Sequence, residues 1–218
     1  MSRPAFSSPL TPSAPRPRRA YAVAKRILDL AVAGLGLVAL SPLLAALALL
    51  VKLTSRGPVL FRQERAGLDG RLFLLLKFRS MREDAELRRR EIAHLSEMEG
   101  PVFKMRSDPR ITWLGRILRR SSLDELPQLV NILRGDMSLV GPRPLPLDEA
   151  AHLPPRLLRR HAVRPGLTGL WQVSGRNDLP FPRMMELDLA YVERASFWLD
   201  LRILLKTIPA VFTGRGAF

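Results

Sequence analysis

The dominant feature of the hydropathy pattern is a run of 22 residues without a charge, from Leu30 to Val51 (LAVAGLGLVALSPLLAALALLV). That length reaches across a hydrocarbon core of roughly 30 Å. Ser41-Pro42 lies in its middle, where proline removes a backbone donor and kinks a helix. Both flanks are basic: Arg16, Arg18, Arg19, Lys25 and Arg26 precede the run, and Lys52, Arg56, Arg62 and Arg65 follow it. Flank charge therefore selects no orientation for a simple span. A helix that enters, breaks at Ser41-Pro42 and returns keeps both flanks on one side of a bilayer. An ordinary kinked span is the other reading, and the pattern leaves both open.

Beyond Gly57-Pro58, the apolar-rich runs VLFRQER and RLFLLLKFRSM flank the turn Gly67-Leu-Asp69-Gly70. They predict a β-hairpin with a loop longer than two residues. Residues 82–99 predict a charged helix with i,i+4 pairs such as Glu86–Arg90, closed by Gly100-Pro101. In ITWLGRILRR (111–120), Trp113, Leu114, Ile117 and Leu118 share one helical face, which suits either a core helix or one lying at a membrane surface. SFWLDLRILLKTIPAVF, near the C-terminus, is a second candidate of this kind. Residues 1–19 hold Pro4, Pro9, Pro12, Pro15 and Pro17 among Ser and Arg, and predict a disordered basic leader. No small-residue cleavage site follows the apolar run, so it does not read as a secretory signal.

Charge sharpens this picture. The 218 residues carry 35 Lys+Arg against 20 Asp+Glu, a formal net charge of +15, which favours polyanionic partners such as nucleic acid, anionic membranes or phosphorylated substrates. Only five of the basic residues are lysines: Lys25, Lys52, Lys77, Lys104 and Lys206. The absence of cysteine excludes disulfide scaffolds, thiolate zinc sites and cysteine nucleophiles. His94, His152 and His161 have no metal-site spacing, and no zinc is expected. The run Gly34-Leu-Gly36-Leu-Val-Ala39 fits G-x-G-x-x-A, but no strand precedes it and no acidic residue lies about 20 positions on. Small residues packing helix against helix explain it better.

The most informative segment is Ser121-Ser-Leu-Asp124-Glu125-Leu-Pro127-Gln, leading to Arg134-Gly135. Pro127 belongs in a first turn, so a helix is expected to begin near Asp124 and to end at Gly135. The adjacent carboxylates admit two accounts. In one, Ser122 and Glu125 form a capping box and the acidic pair serves the helix terminus. In the other, a carboxylate kept ionised at a helix N-terminus attacks a phosphoryl group. Neighbouring residues point about 100° apart on a helix, so they do not face one another as glycosidase pairs do. A nucleophile beside a metal ligand or proton acceptor suits the spacing. Lys77-Phe-Arg79-Ser80, Arg119, Gly141-Pro-Arg143-Pro, Arg164-Pro-Gly166 and Ser174-Gly-Arg176-Asn surround this pair with basic groups, several on Pro/Gly-fixed loops. Rigid forks of this kind suit a diphosphate.

These motifs together (KFRSM, SLDELPQLVNILRGDMSLVGPRP, RPGLTGLWQVSGRN and WLDLRILLKTIPAVFTGRGAF) resemble the bacterial sugar transferases, the monotopic polyprenyl-phosphate phosphoglycosyl transferases, from about Tyr21 to Phe218. The resemblance implies a mainly α fold with a small β-hairpin (α+β), a re-entrant membrane helix broken at Ser41 and Pro42, and amphipathic helices at the interface. It divides the chain into a leader (1–20), a membrane helix (21–56) and a catalytic domain on the cytoplasmic face of the bacterial inner membrane (57–218). The activity implied is transfer of a phosphosugar from a UDP-sugar to undecaprenyl phosphate through a covalent aspartyl-phosphosugar, with release of UMP. By position, Asp124 is the implied nucleophile and Glu125 its partner, with Mg2+ bound close to both. Lys77, Arg79, Arg119, Arg143 and Arg176 are the implied phosphate or substrate contacts. TGLWQVSGRN and the GRGAF ending resemble the hexose-transferring branch, which implies UDP-glucose or UDP-galactose rather than an N-acetylated amino sugar. The chain would also face anionic phospholipid, which accounts for part of its charge.

Two other classes remain as alternatives. A nucleic-acid binder would gather its basic residues into one stripe with exposed aromatics, whereas here they spread over the chain around an uncharged run. A basic, non-catalytic membrane adaptor of polysaccharide assembly would not need an intact acidic pair together with arginine loops.

Overall fold

The charge-free run folds as two helices, α1 (Arg19–Ala39) and α2 (Ser41–Thr54), bent by 64° at Leu40. The structure, a computed structural model, describes residues 19–213 and 216 apart from 90 and 99; most of the expected leader and the Glu86–Arg90 pair lie outside the described residues. Pro42 occupies the first turn of α2 and has no N–H to continue α1. Ser41 Oγ instead donates to Val38 O at 2.8 Å. Among the described residues no single helix is long and apolar enough to cross a membrane, but the bent pair is, by length and composition.

One face of α1 carries the contacts that fix it to the rest of the chain. Ala33 is fully buried, and a Cβ at Gly36 would meet the Leu129 side chain at 3.4 Å. The small-residue packing expected of this segment thus occurs at Gly36, whereas Gly34 faces open space. Polar groups on the same helix reach inward as well. Asp29, buried, accepts from Ser138 Oγ at 3.0 Å and from the Leu139 amide at 2.8 Å. Arg26 donates to the carbonyls of Ile132 and Leu133 in the last turn of a helix, where carbonyls lack their full complement of intrahelical partners.

The hairpin forms as expected. Strand β1 (Leu60–Ala66) pairs antiparallel with β2 (Leu72–Phe78), from Leu60 opposite Phe78 to Ala66 opposite Leu72. Phe73 and Leu75 share one face of β2 and are buried; on the other face Leu72 and Leu74 are exposed while Leu76 and Phe78, toward the end of the strand, are buried. A second, parallel pair, β3 (Ser138–Val140) with β4 (Gly166–Thr168), was not foreseen. The architecture is mainly helical with small sheets, α+β.

The predicted charged helix is corrected to a single turn, α3 (Ala85–Arg88), and a 3-10 turn at Ala93–Leu95. Only Ala85 of these turns is buried, and Leu87 and Leu95 face outward. Without an apolar face to bury, local pairing does not sustain a longer helix. Helix α4 (Trp113–Arg120) begins at Thr112, whose Oγ1 accepts from Gly115 N at 2.9 Å. The proposed common face of α4 divides in two: Leu114 and Leu118 are core, while Trp113 and Ile117 are 61% and 55% exposed. Leu118 joins Leu47 and Val51 of α2 in one apolar cluster with Phe78 of β2.

Helix α5 spans Gln128–Arg134 and ends at Gly135, whose φ of 88° is the left-handed conformation that glycine adopts without a Cβ penalty. A short α6 (Leu147–Ala151) and a 3-10 segment (Pro155–Ala162) precede α7 (Phe181–Arg194) and α8 (Phe197–Thr213). Trp198, in the first turn of α8, is exposed, whereas Ile203 is buried.

Candidate active site

Asp124 and Glu125 sit in a 3-10 turn, Leu123–Glu125, immediately before α5. The helix therefore starts later than expected, after Pro127 rather than near Asp124. The capping-box account is also corrected. Ser122 has φ 57° and caps nothing with its side chain, and the Glu125 carboxylate turns instead toward two cations. Lys77 Nζ lies 2.7 Å from Glu125 Oε1, Arg143 Nη2 lies 2.6 Å from the same oxygen, and Arg143 Nη1 is 3.3 Å from Oε2. Lys77 comes from β2 and Arg143 from the Pro-fixed loop after β3, so Glu125 joins three separate segments. Arg160, buried in an ion pair with Asp188 at 2.6 Å, also donates to the Arg143 carbonyl at 2.6 Å and holds that loop.

The two carboxylates are unlike in their surroundings. Both oxygens of Glu125 accept from cations, whereas Asp124, only 5% exposed, receives no side-chain donor among the described residues. Burial raises the pKa of Glu125, but Arg143 and Lys77 outweigh it and hold the carboxyl well below its ordinary range. For Asp124 burial dominates, Glu125 adds to it, and the pKa is raised despite Lys77 and Arg119 nearby. A nucleophile kept ionised by a helix N-terminus is thus not what the fold provides; charge compensation comes from the cations around it.

Arg119 donates from Nε to Ser80 Oγ at 3.0 Å and lies close enough to Asp124 to feel its charge. Arg176 occupies a left-handed position (φ 53°) in the 3-10 turn Arg176–Asp178. It shares a cavity of about 300 Å³ with Asp124, Glu125, Lys77, Arg119 and Arg143. Arg79 differs from these: its guanidinium bonds Ser55 O and Oγ, both at 2.8 Å, and Pro58 O, tying the hairpin to the end of α2. It lines a larger neighbouring cavity, of about 880 Å³, together with Asp124 and apolar residues such as Phe61, Phe78 and Met105. Asp124 thus lies on a wall common to both cavities.

Two participants carried no signal in the sequence motifs. Arg65, on β1, donates to Pro144 O at 2.9 Å and lines both cavities, and burial with Arg143 nearby lowers its pKa to about 10. Lys104 lines both cavities from a segment with no regular structure. Seven basic and three acidic side chains line the smaller cavity in all. No cluster of three or more metal-ligating side chains occurs among the described residues. Mg2+ does not require one, because it takes one or two carboxylates and completes its shell with water and substrate phosphate. Asp124 offers such an oxygen donor, while the oxygens of Glu125 already receive cations.

The cavity joins a buried carboxylate without a side-chain donor among the described residues to a lining dominated by cations, an arrangement whose charge suits a phosphorylated ligand. The chain belongs to the bacterial sugar transferase family, whose sequence profile matches residues 20–214, and is an enzyme of that class. It is 43% identical over 199 residues to the galactosyl transferase CpsE of Streptococcus agalactiae, covering 90% of this chain and 44% of that protein. It is 42% identical over 200 residues to the exopolysaccharide production protein ExoY of Rhizobium meliloti, covering 90% of this chain and 88% of that protein. It is 43% identical over 219 residues to a UDP-glucose:undecaprenyl-phosphate glucose-1-phosphate transferase of Caulobacter vibrioides, covering 96% and 77% respectively.

Proposed function

We propose that the protein transfers hexose 1-phosphate from UDP-glucose or UDP-galactose to undecaprenyl phosphate, an initiating step of exopolysaccharide or O-antigen assembly. The observation that carries this reading is the contrast between Asp124, without a protein donor, and Glu125, bound by Lys77 and Arg143. A carboxylate oxygen of Asp124 attacks the phosphorus that bears the sugar. The bond from that phosphorus to the bridging oxygen breaks, UMP leaves, and an aspartyl-phosphosugar remains. An oxygen of undecaprenyl phosphate then attacks the same phosphorus and frees Asp124, giving the lipid diphosphate sugar. Glu125 keeps Lys77 and Arg143 beside the reacting phosphate, and the cations stabilise charge on the leaving group. Mg2+ would be held beside the Asp124–Glu125 pair, where Asp124 offers the free carboxylate oxygen, and would supply positive charge next to the diphosphate. The relatives' names support the donor and acceptor.

In this reading the bent α1–α2 pair re-enters the membrane at Ser41-Pro42 rather than crossing it, and the site faces the cytoplasm at the inner membrane. The outward apolar residues Leu49, Leu53, Trp113, Ile117 and Trp198 support contact with lipid, and the basic surface supports attraction to anionic phospholipid. The larger cavity, lined by apolar residues such as Phe61, Phe78 and Met105 together with many basic ones, suits approach of the prenyl phosphate to Asp124.

The test is incubation of membranes containing the protein with undecaprenyl phosphate, Mg2+ and a panel of UDP-sugars, followed by identification of the nucleotide released. UMP with a single hexose is expected. UDP would mean glycosyl transfer without the phosphate and would remove Asp124 as phosphosugar carrier.

A further inference from the structure

Five of the seven basic side chains lining the smaller cavity direct a side-chain nitrogen to an oxygen of the protein. Among the described residues the exceptions are Arg176 and Lys104. The backbone of Lys104 is held in place: its amide donates to Ser96 Oγ at 3.3 Å and its carbonyl accepts from Glu97 N at 2.7 Å. Its ammonium lies 3.4 Å from Met184 Sδ and 5.5 Å from the centroid of the Trp171 ring, and among the described residues no carboxylate lies in ion-pair range of it. The Trp171 indole N–H is buried beside it without an acceptor. A half-buried cation without a counter-ion, next to an unsatisfied donor, is unfavourable unless an anion completes the arrangement.

We infer that Lys104 is a ligand of the donor diphosphate, acting with Arg176 in the smaller cavity. The inference rests on the phosphosugar-transfer reading and adds a residue to it. The donor is the partner, rather than the lipid phosphate, because Arg143, Trp171 and Arg176 line only the smaller cavity. The charge of Lys104 supplies a second reading. Burial, with Arg143 nearby, lowers its pKa to about 8, against the opposing pull of Glu149 and Asp178. Only the ammonium attracts phosphate, so its contribution is present below about pH 8 and is lost above it.

The experiment is calorimetric titration of detergent-solubilised protein with UDP, comparing wild type, Lys104→Met and Lys104→Arg, alongside KM values for the UDP-sugar and for undecaprenyl phosphate. Methionine keeps the apolar contact with Trp171 and Met184 and removes the charge. Lys104→Met should bind UDP about ten- to a hundredfold more weakly and raise the donor KM, the size expected of a charged hydrogen bond. Lys104→Arg should recover most of the affinity, and the loss of wild-type affinity as pH rises through about 8 should be absent from it. Equal UDP affinity in wild type and Lys104→Met overturns the inference while leaving the transfer reading intact. A rise in KM for undecaprenyl phosphate alone also overturns it. A wild-type protein that neither binds UDP nor releases UMP overturns both.

Discussion

Lys77 Nζ lies 2.7 Å from Glu125 Oε1, and this pair couples the second strand of the hairpin to the turn that carries both carboxylates. Arg143 reaches the same oxygen at 2.6 Å. Glu125 is thereby the anion that gathers these cations, while Asp124 beside it receives no side-chain donor among the described residues and, in the proposed reaction, is the attacking group.

Replacing Glu125 by Gln should lower the rate of UMP release by about a hundredfold or more, as loss of a charge-organising group does. The negative charge of Glu125 is one of the causes that raise the pKa of Asp124. Its removal should therefore move the acid limb of kcat/KM to lower pH. Stability should fall as well, toward the roughly 3–5 kcal/mol that follows from leaving a buried charge unpaired. A pH–rate profile and a thermal melt check both outcomes; an acid limb that stays in place contradicts the coupling.

Asp188→Asn tests the support beneath Arg143. Arg160 and Asp188 are both almost wholly buried, so the substitution should cost about 3–5 kcal/mol in thermal or denaturant unfolding. The double change Arg160→Met with Asp188→Leu should restore much of that stability. It should not restore activity, because the Arg160 donor to the Arg143 carbonyl is lost.

Gly115→Ala probes the contact of α4 with the end of the hairpin. A Cβ there would overlap the Ser80 carbonyl, and relieving the overlap should cost about 1–3 kcal/mol. Ser80 also receives Arg119 Nε, so activity should fall together with the melting temperature.

His161 predicts an acid-sensitive fold. Burial and the neighbouring Arg160 lower its pKa to about 3, against a weaker opposing hydrogen bond with the Gly67 backbone. The unfolded chain takes up a proton near pH 6.5 while the folded chain does not, so stability falls as pH drops from about 6.5 toward 3. Thermal melts between pH 7 and 5 should show this decline, and His161→Asn should flatten it.

The hairpin was legible because a Gly/Asp turn separates two apolar-rich runs, and the break at Leu40 because Pro42 permits little else. The acidic pair stood out as adjacent carboxylates among basic motifs. Its geometry was not legible, since Ser122-x-x-Glu125 fits a capping box as well as it fits the observed turn. Only a tertiary contact, the approach of Lys77 and Arg143, decides between them. The β3–β4 pair was hidden for a similar reason, each strand having three residues and no local pattern. Lys104 and Arg65 enter the site through the path of the backbone, which no short motif records. The charged segment at 82–99 read as helix from its pairs alone, but pairs without a buried face do not hold one.

The central claim is that Asp124 carries the phosphosugar, and trapping that species tests it most directly. Protein incubated with UDP-glucose or UDP-galactose and Mg2+, without undecaprenyl phosphate, should gain the mass of one hexose phosphate, with the modified peptide containing Asp124. Undecaprenyl phosphate should discharge the adduct, and Asp124→Asn, folded to the same melting temperature, should never form it. An adduct on another residue, or full turnover by Asp124→Asn, would contradict the account.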